Sequence, residues 1–144
     1  MRVLAIDHGD KKIGLALSDP LQFTAQPLGC YEVRGKKADK AHYLSLVADY
    51  DISEIVVGLP LHMDGTRGER ALKVEAFADW LRSFLGLPVF LWDERLTTRE
   101  AYDILRLQNI KQREAKKYKD QIAAGIILSE YLESKRLNKE RAPS

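Results

Sequence analysis

The chain opens on an apolar run, Val3-Leu4-Ala5-Ile6, that ends on Asp7, and after a polar turn a second run extends from Ile13 to Ser18. Both read as short strands joined tightly enough to pair antiparallel, and Pro27 to Val33 is a weaker third candidate beyond a loop containing Pro20 and Pro27. The periodicity then changes. Leu44, Val47 and Ala48 recur at helical spacing within Ala41 to Tyr50, and the chain continues into a buried-strand run, Ile55-Val56-Val57, closed by Gly58-Leu59-Pro60. A polar turn from His62 to Thr66 leads into a long helix with Ala71, Val74, Phe77, Ala78, Leu81 and Leu85 on one face, ended by Gly86 and Pro88. Val89 to Trp92 is another buried strand, Thr98 to Leu107 a further helix, and about Tyr118 to Ser134 the last.

Three strands with short links suggest an antiparallel meander, whereas strands separated by helices need crossovers and so lie parallel. The expectation is one α/β domain over residues 1–134, with a mixed five-stranded sheet of three antiparallel strands followed by two parallel ones, flanked by helices. Residues 135–144 read as a basic, frayed tail. Chemistry is expected at the strand ends, where loops gather.

Composition narrows the choices. A chain of 144 residues is one domain's worth, able to bury roughly two-thirds of its unfolded surface without staples. Its single cysteine excludes an internal disulfide; Cys30, within Pro27-Leu28-Gly29-Cys30-Tyr31, reads as a small buried hydrophobe, and no Cys or His spacing resembles a zinc site. A net charge of +2 says little about partners, but basic residues crowd into Arg34 to Lys40, Lys111 to Lys119 and Lys135 to Arg141. Without a leader-like or membrane-length apolar run, the expectation is a soluble cytoplasmic protein with no membrane partner.

An aspartate is a poor strand former, so Asp7 needs a reason to end a strand. The turn Asp7-His8-Gly9-Asp10 supplies one, since Asp and Gly favour tight connections; a metal or phosphate ligand is the other. Glu94, with Asp93, ends the last strand, and Asp120 falls in the first turn of the last helix. If the first and last strands run the same way, Asp7 and Glu94 project from one edge of the sheet. The small Ala123 and Ala124 would let the last helix lie close and bring Asp120 to them. Three carboxylates together repel unless a divalent cation sits among them, and hard oxygen donors point to Mg²⁺ or Mn²⁺. A two-ion arrangement, with Asp7 bridging, suits phosphodiester hydrolysis. Each acid also has a plainer use, since Asp120, Asp93 and Glu94 all favour a helix amino terminus through the macrodipole.

The Asp7-His8-Gly9 strand end, the stretch Val56 to Thr66, Asp93-Glu94-Arg95-Leu96-Thr97-Thr98 and Asp120 to Leu128 together resemble the YqgF/RuvX family, in order, from Val3 to about Leu132. The resemblance implies an RNase H-like fold and a metal-dependent endonuclease, with catalytic, metal-binding acids at Asp7, Glu94 and Asp120. It further implies precursor 16S rRNA as substrate, cut at its 5′ end during ribosome maturation, with ribosomal precursor particles as partners. The family's other description, Holliday-junction-resolvase-like, implies branched DNA instead. His62 stands where the family more often has Asn, and it either meets substrate or fills a loop.

Two other classes compete. The Asp-x-Gly opening also occurs in sugar kinases and actin-like ATPases, but these close a second domain over ATP and this chain has no room for one. A non-catalytic RNA-binding or ribosome-associated module would use the basic segments and leave the acids unexplained. Arg95 either clamps a phosphate or pairs with a neighbouring acid. Lys111, Arg113, Lys116 and Lys117, directly before Asp120, are placed to hold phosphates flanking the cut, or are solvated surface. Gly9, Gly58 and Gly65 free the backbone at loop positions; Thr97 or Thr98 either caps a helix or contacts substrate, and Trp92 either stacks a base or lies in the core.

Overall fold

A computed structural model describes residues 1–94 and 119–141, with side chains described for 1–94 and 122–137. The elements are β1 (Arg2–Asp7), β2 (Lys12–Ser18), β3 (Ala25–Glu32), α1 (Lys36–Tyr50), β4 (Ile52–Leu59), α2 (Glu69–Leu85), β5 (Val89–Asp93) and α3 (Lys119–Arg141). The five strands form one sheet in the order β3-β2-β1-β4-β5. β1, β2 and β3 pair antiparallel, and β1, β4 and β5 parallel, as the connection lengths require. The mixed α/β sheet expected from the sequence is therefore present.

Alternation along β1 divides the core between two faces. Leu4 and Ile6 join Ile13, Leu15, Val57, Tyr43, Val74 and Leu81 in the layer between the sheet and helices α1 and α2. Val3 and Ala5 point the other way and meet Ala16, Val56, Ala124, Ile127, Leu128 and Leu132 beneath α3. Small residues dominate the contact under α3. Ala124 is fully buried there while Ala123 is only half-buried, so one of the two alanines expected to bring the helix close does so.

Register sets the site edge. Ile6 pairs with Val57, Val57 with Leu91, and Gly58 with Trp92, so β1, β4 and β5 reach the same edge of the sheet together. Helices α1 and α2 both start from that edge, because each follows a strand that ends there.

Some boundaries differ from expectation. α1 starts at Lys36, ahead of Ala41, through a first turn with almost no apolar signal. α3 continues to Arg141, so residues 135–141 of the expected frayed tail are helical. Cys30 is exposed: it lies on the outer strand β3, opposite Gly14, where apolar neighbours in sequence do not bring burial. The expected Thr98–Leu107 helix lies outside the described residues.

Candidate active site

Asp7 ends β1 with the parity of Val3 and Ala5, which directs it to the α3 face. Glu94 follows β5 at the same edge, and a hydrogen bond joins the two carboxyl groups. Burial pushes the Glu94 carboxyl up from its ordinary value; the positive Arg70 and the bond with Asp7 pull it back, and Asp93 adds to the rise. Burial thus makes the ionised Glu94 costly here, and a cation beside the pair would offset that cost.

Gly58 explains how the acids meet. A Cβ at this position would collide with Oε1 of Glu94 and lie 2.6 Å from Cδ1 of Ile127 on α3. β4 is bare where the Glu94 carboxylate and the covering helix both press against it. Gly9, in the β1–β2 turn, is equally confined, since a Cβ there would run into the Lys12 carbonyl. Gly65 sits at the tip of the His62–Thr66 turn and donates its N–H to the His62 carbonyl at 2.8 Å.

That turn is internally tied. The His62 N–H donates to the Thr66 carbonyl at 3.0 Å, Asp64 accepts from the Thr66 N–H and hydroxyl at 3.0 and 2.7 Å, and the His62 ring lies against Gly68. His62 thus packs within the loop. Trp92 packs under α3, edge-on to Tyr131 with ring centroids 6.1 Å apart, which makes it a core residue.

Arg70 has no local signal in the sequence that marks it for the site. It lies in the first turn of α2, donates to the His8 carbonyl at 3.1 Å, and its charge reaches Glu94. The signal that could have found it is topological: a crossover helix beginning at a strand's carboxyl end carries its first turn to the site. Lys73, one turn further, pairs with Asp10 at 3.6 Å. His8 has the opposite parity to Asp7 and faces α2, its ring 4.6 Å from that of Phe77.

Asp120 occupies the first turn of α3, which packs against the sheet at this edge, and its side chain is outside the described set. Arg95, Lys111, Arg113, Lys116 and Lys117 also lie outside the described residues, as do Thr97 and Thr98. Among the described residues no three His, Cys, Asp or Glu side chains form a metal cluster; Asp7 and Glu94 are the carboxylates brought together at this edge, with Asp93 beside Glu94. Hard carboxylate oxygens over a bare glycine suit a small divalent cation such as Mg²⁺ or Mn²⁺.

The profile of one protein family, RuvX, described as Holliday junction resolvase, matches residues 1–134. The chain belongs to the RuvX family. Its relatives include a "putative pre-16S rRNA nuclease" of Dictyoglomus thermophilum, 45% identical over 138 residues that cover 96% of this chain and 99% of that protein. A protein of the same name from Syntrophus aciditrophicus is 42% identical over 144 residues, covering 100% of this chain and 95% of the relative. Among solved structures, T. thermophilus RuvC in complex with a Holliday junction substrate superposes with a TM-score of 0.60 at 17% identity, covering 94% of this chain and 96% of that one. The fowlpox virus Holliday junction resolvase follows at 0.57 and 17%, covering 93% and 99%. These structures share the RNase H-like fold with the RuvX chain. As a member of this family the protein is a hydrolytic nuclease.

Proposed function

We propose that the chain is a metal-dependent endonuclease that hydrolyses phosphodiester bonds at the 5′ end of precursor 16S rRNA during ribosome maturation in the cytoplasm. The observation that carries this reading is the Asp7–Glu94 carboxyl pair, held at one sheet edge over Gly58. Asp7, Glu94 and Asp120 would hold two Mg²⁺ or Mn²⁺ ions. Bound there, the ions supply Lewis-acid charge for the attacking and leaving oxygens of the phosphodiester. The choice of rRNA rests on the names of relatives at 42–45% identity.

The chain's own residues prepare the site. Arg70 ties α2 to the His8 carbonyl and so fixes the end of β1 next to Asp7. Its positive charge also favours the ionised form of Glu94, the form that a cation needs. Gly58 keeps the floor open. Arg95 and the basic segment Lys111, Arg113, Lys116 and Lys117 would hold phosphates on either side of the cut.

The test is a cleavage assay with precursor 16S rRNA and a four-way DNA junction side by side, with and without Mg²⁺ or Mn²⁺. The wild type should cut the rRNA only with metal, and Asp7→Asn, Glu94→Gln and Asp120→Asn should each reduce cleavage to background while remaining folded by circular dichroism. Cutting of the junction alone would move the substrate to branched DNA, in line with the family description. Undiminished cleavage by all three variants would remove these carboxylates from the mechanism.

A further inference from the structure

A cavity of about 310 Å³ opens at the same sheet edge, on the opposite face from α3. Its volume is at the lower end of the ~300–1,000 Å³ typical of small-ligand pockets. The β1–β2 turn, the start of α1 and the middle of α2 wall it. Phe77 and Trp80 provide an aromatic side, their ring centroids 6.0 Å apart, and His8 lies across Phe77. Lys36 and Lys73 stand at its border.

The charges around the cavity are unequal. Asp39 is buried and committed, accepting from the Tyr31 hydroxyl at 2.7 Å and the Arg34 N–H at 3.0 Å. Asp10 pairs with Lys73. Lys36 has no ion pair among the described residues, and α1 starts beside it at Gly35 without a side-chain cap, so the helix adds partial positive charge. His8 closes the aromatic side, its ring tilted 44° to that of Phe77. An aromatic wall with Lys36 free to pair at its border suits a flat ring that carries an anion.

A nucleotide is such a ligand, and the nuclease's own substrate supplies it. His8 lines this cavity while its neighbour Asp7 faces the carboxyl site, so one strand end serves both. We propose that the cavity takes a single unstacked nucleotide of the substrate strand, its base against Phe77 and Trp80 and its phosphate at Lys36 and Lys73. The source of that nucleotide rests on the nuclease reading above; the cavity's chemistry does not. Stacking of a splayed base on aromatic side chains is the common way single strands are held.

The test is titration calorimetry of the full chain with adenosine 5′-monophosphate, with ribose 5-phosphate as the control that lacks a base. The nucleotide should bind saturably and the control much more weakly. Ala76→Leu, which fills the cavity from an exposed position, and the double change Lys36→Ala with Lys73→Ala should each lower nucleotide affinity by about tenfold. In cleavage, Ala76→Leu should raise KM while the single-turnover rate at saturation stays near wild type. Equal binding of ribose 5-phosphate, or wild-type nucleotide affinity in Ala76→Leu, would overturn the proposal. A wild type that cuts RNA but does not bind the nucleotide would overturn the cavity's role alone. Nucleotide binding that Ala76→Leu abolishes, in a protein that cuts neither RNA nor DNA, would uphold the cavity and sink the nuclease reading.

Discussion

Two acids meet at the end of the sheet because the residue between them has no side chain. Gly58→Ala would place a methyl group against the tips of Glu94 and Ile127. Both are flexible side-chain ends, so the fold should yield with a destabilisation of about 1 kcal/mol. Displacing the Glu94 carboxyl from Asp7 should nevertheless remove most cleavage. Chemical denaturation beside a single-turnover assay checks this, and a variant with wild-type cleavage would show that the close approach is dispensable. Asp7 and Glu94 are legible in the sequence because an acid at the end of an apolar run contradicts local propensity and asks for a reason. Arg70 is not, since its place depends on the crossover helix α2 starting at the edge where β4 ends, and nothing local to Glu69-Arg70-Ala71 records that. Cys30 misleads for a similar reason. Its neighbours in sequence are apolar, but its strand is outermost.

The elements themselves are easier to read than their ends. α1 begins with Lys36-Lys37-Ala38-Asp39-Lys40, where apolar periodicity has almost nothing to register. Asp39 anchors that turn through Tyr31 and Arg34, a contact made across elements. α3 outruns its apolar stripe because Lys135 holds Glu54 and donates to Gln22 at 2.9 Å. Polar anchors of this kind leave no periodic trace. α1 also carries a pH dependence. His42 stacks on Tyr31 with ring centroids 3.7 Å apart and planes 7° from parallel, and its buried Nε2 has no hydrogen-bond partner among the described residues. Burial lowers its affinity for a proton below the ordinary value of 6.5, with Asp39 opposing and Arg34 assisting. The unfolded chain therefore takes up the proton first, and stability is lost as pH falls from 6.5 through the folded value. His42→Phe keeps an aromatic stack and removes the titration. Its melting temperature should fall less than that of the wild type between about pH 8 and about pH 5. An identical fall in both proteins would assign the acid sensitivity elsewhere.

At the level of the molecule, connection lengths alone make the sheet readable. Two short links dictate the antiparallel half and two helical crossovers the parallel half, which fixes where the strand ends collect. The path of the substrate is less readable, because near-neutral net charge conceals where the basic residues lie. Changing Lys111, Arg113, Lys116 and Lys117 together to Ala should weaken RNA binding. The slope of log affinity against log salt should fall by roughly 0.7 for each phosphate that the variant no longer holds. Filter binding across a salt series measures this, and an unchanged slope would return the segment to ordinary surface. Single-turnover cleavage at saturating RNA should fall much less than affinity.

The position of α3 in the chain has a consequence for how the enzyme is made. All five strands precede it. A polypeptide emerging from the ribosome amino terminus first can pair its whole sheet while the face formed by Val3, Ala5, Ala16 and Val56 is still bare. Asp7 and Glu94 are then already translated, but Ile127, which walls them at Gly58, and Asp120 are not. During that interval the two carboxyl groups have no wall on the side that Ile127 will occupy, and the apolar underside of the sheet waits for its cover.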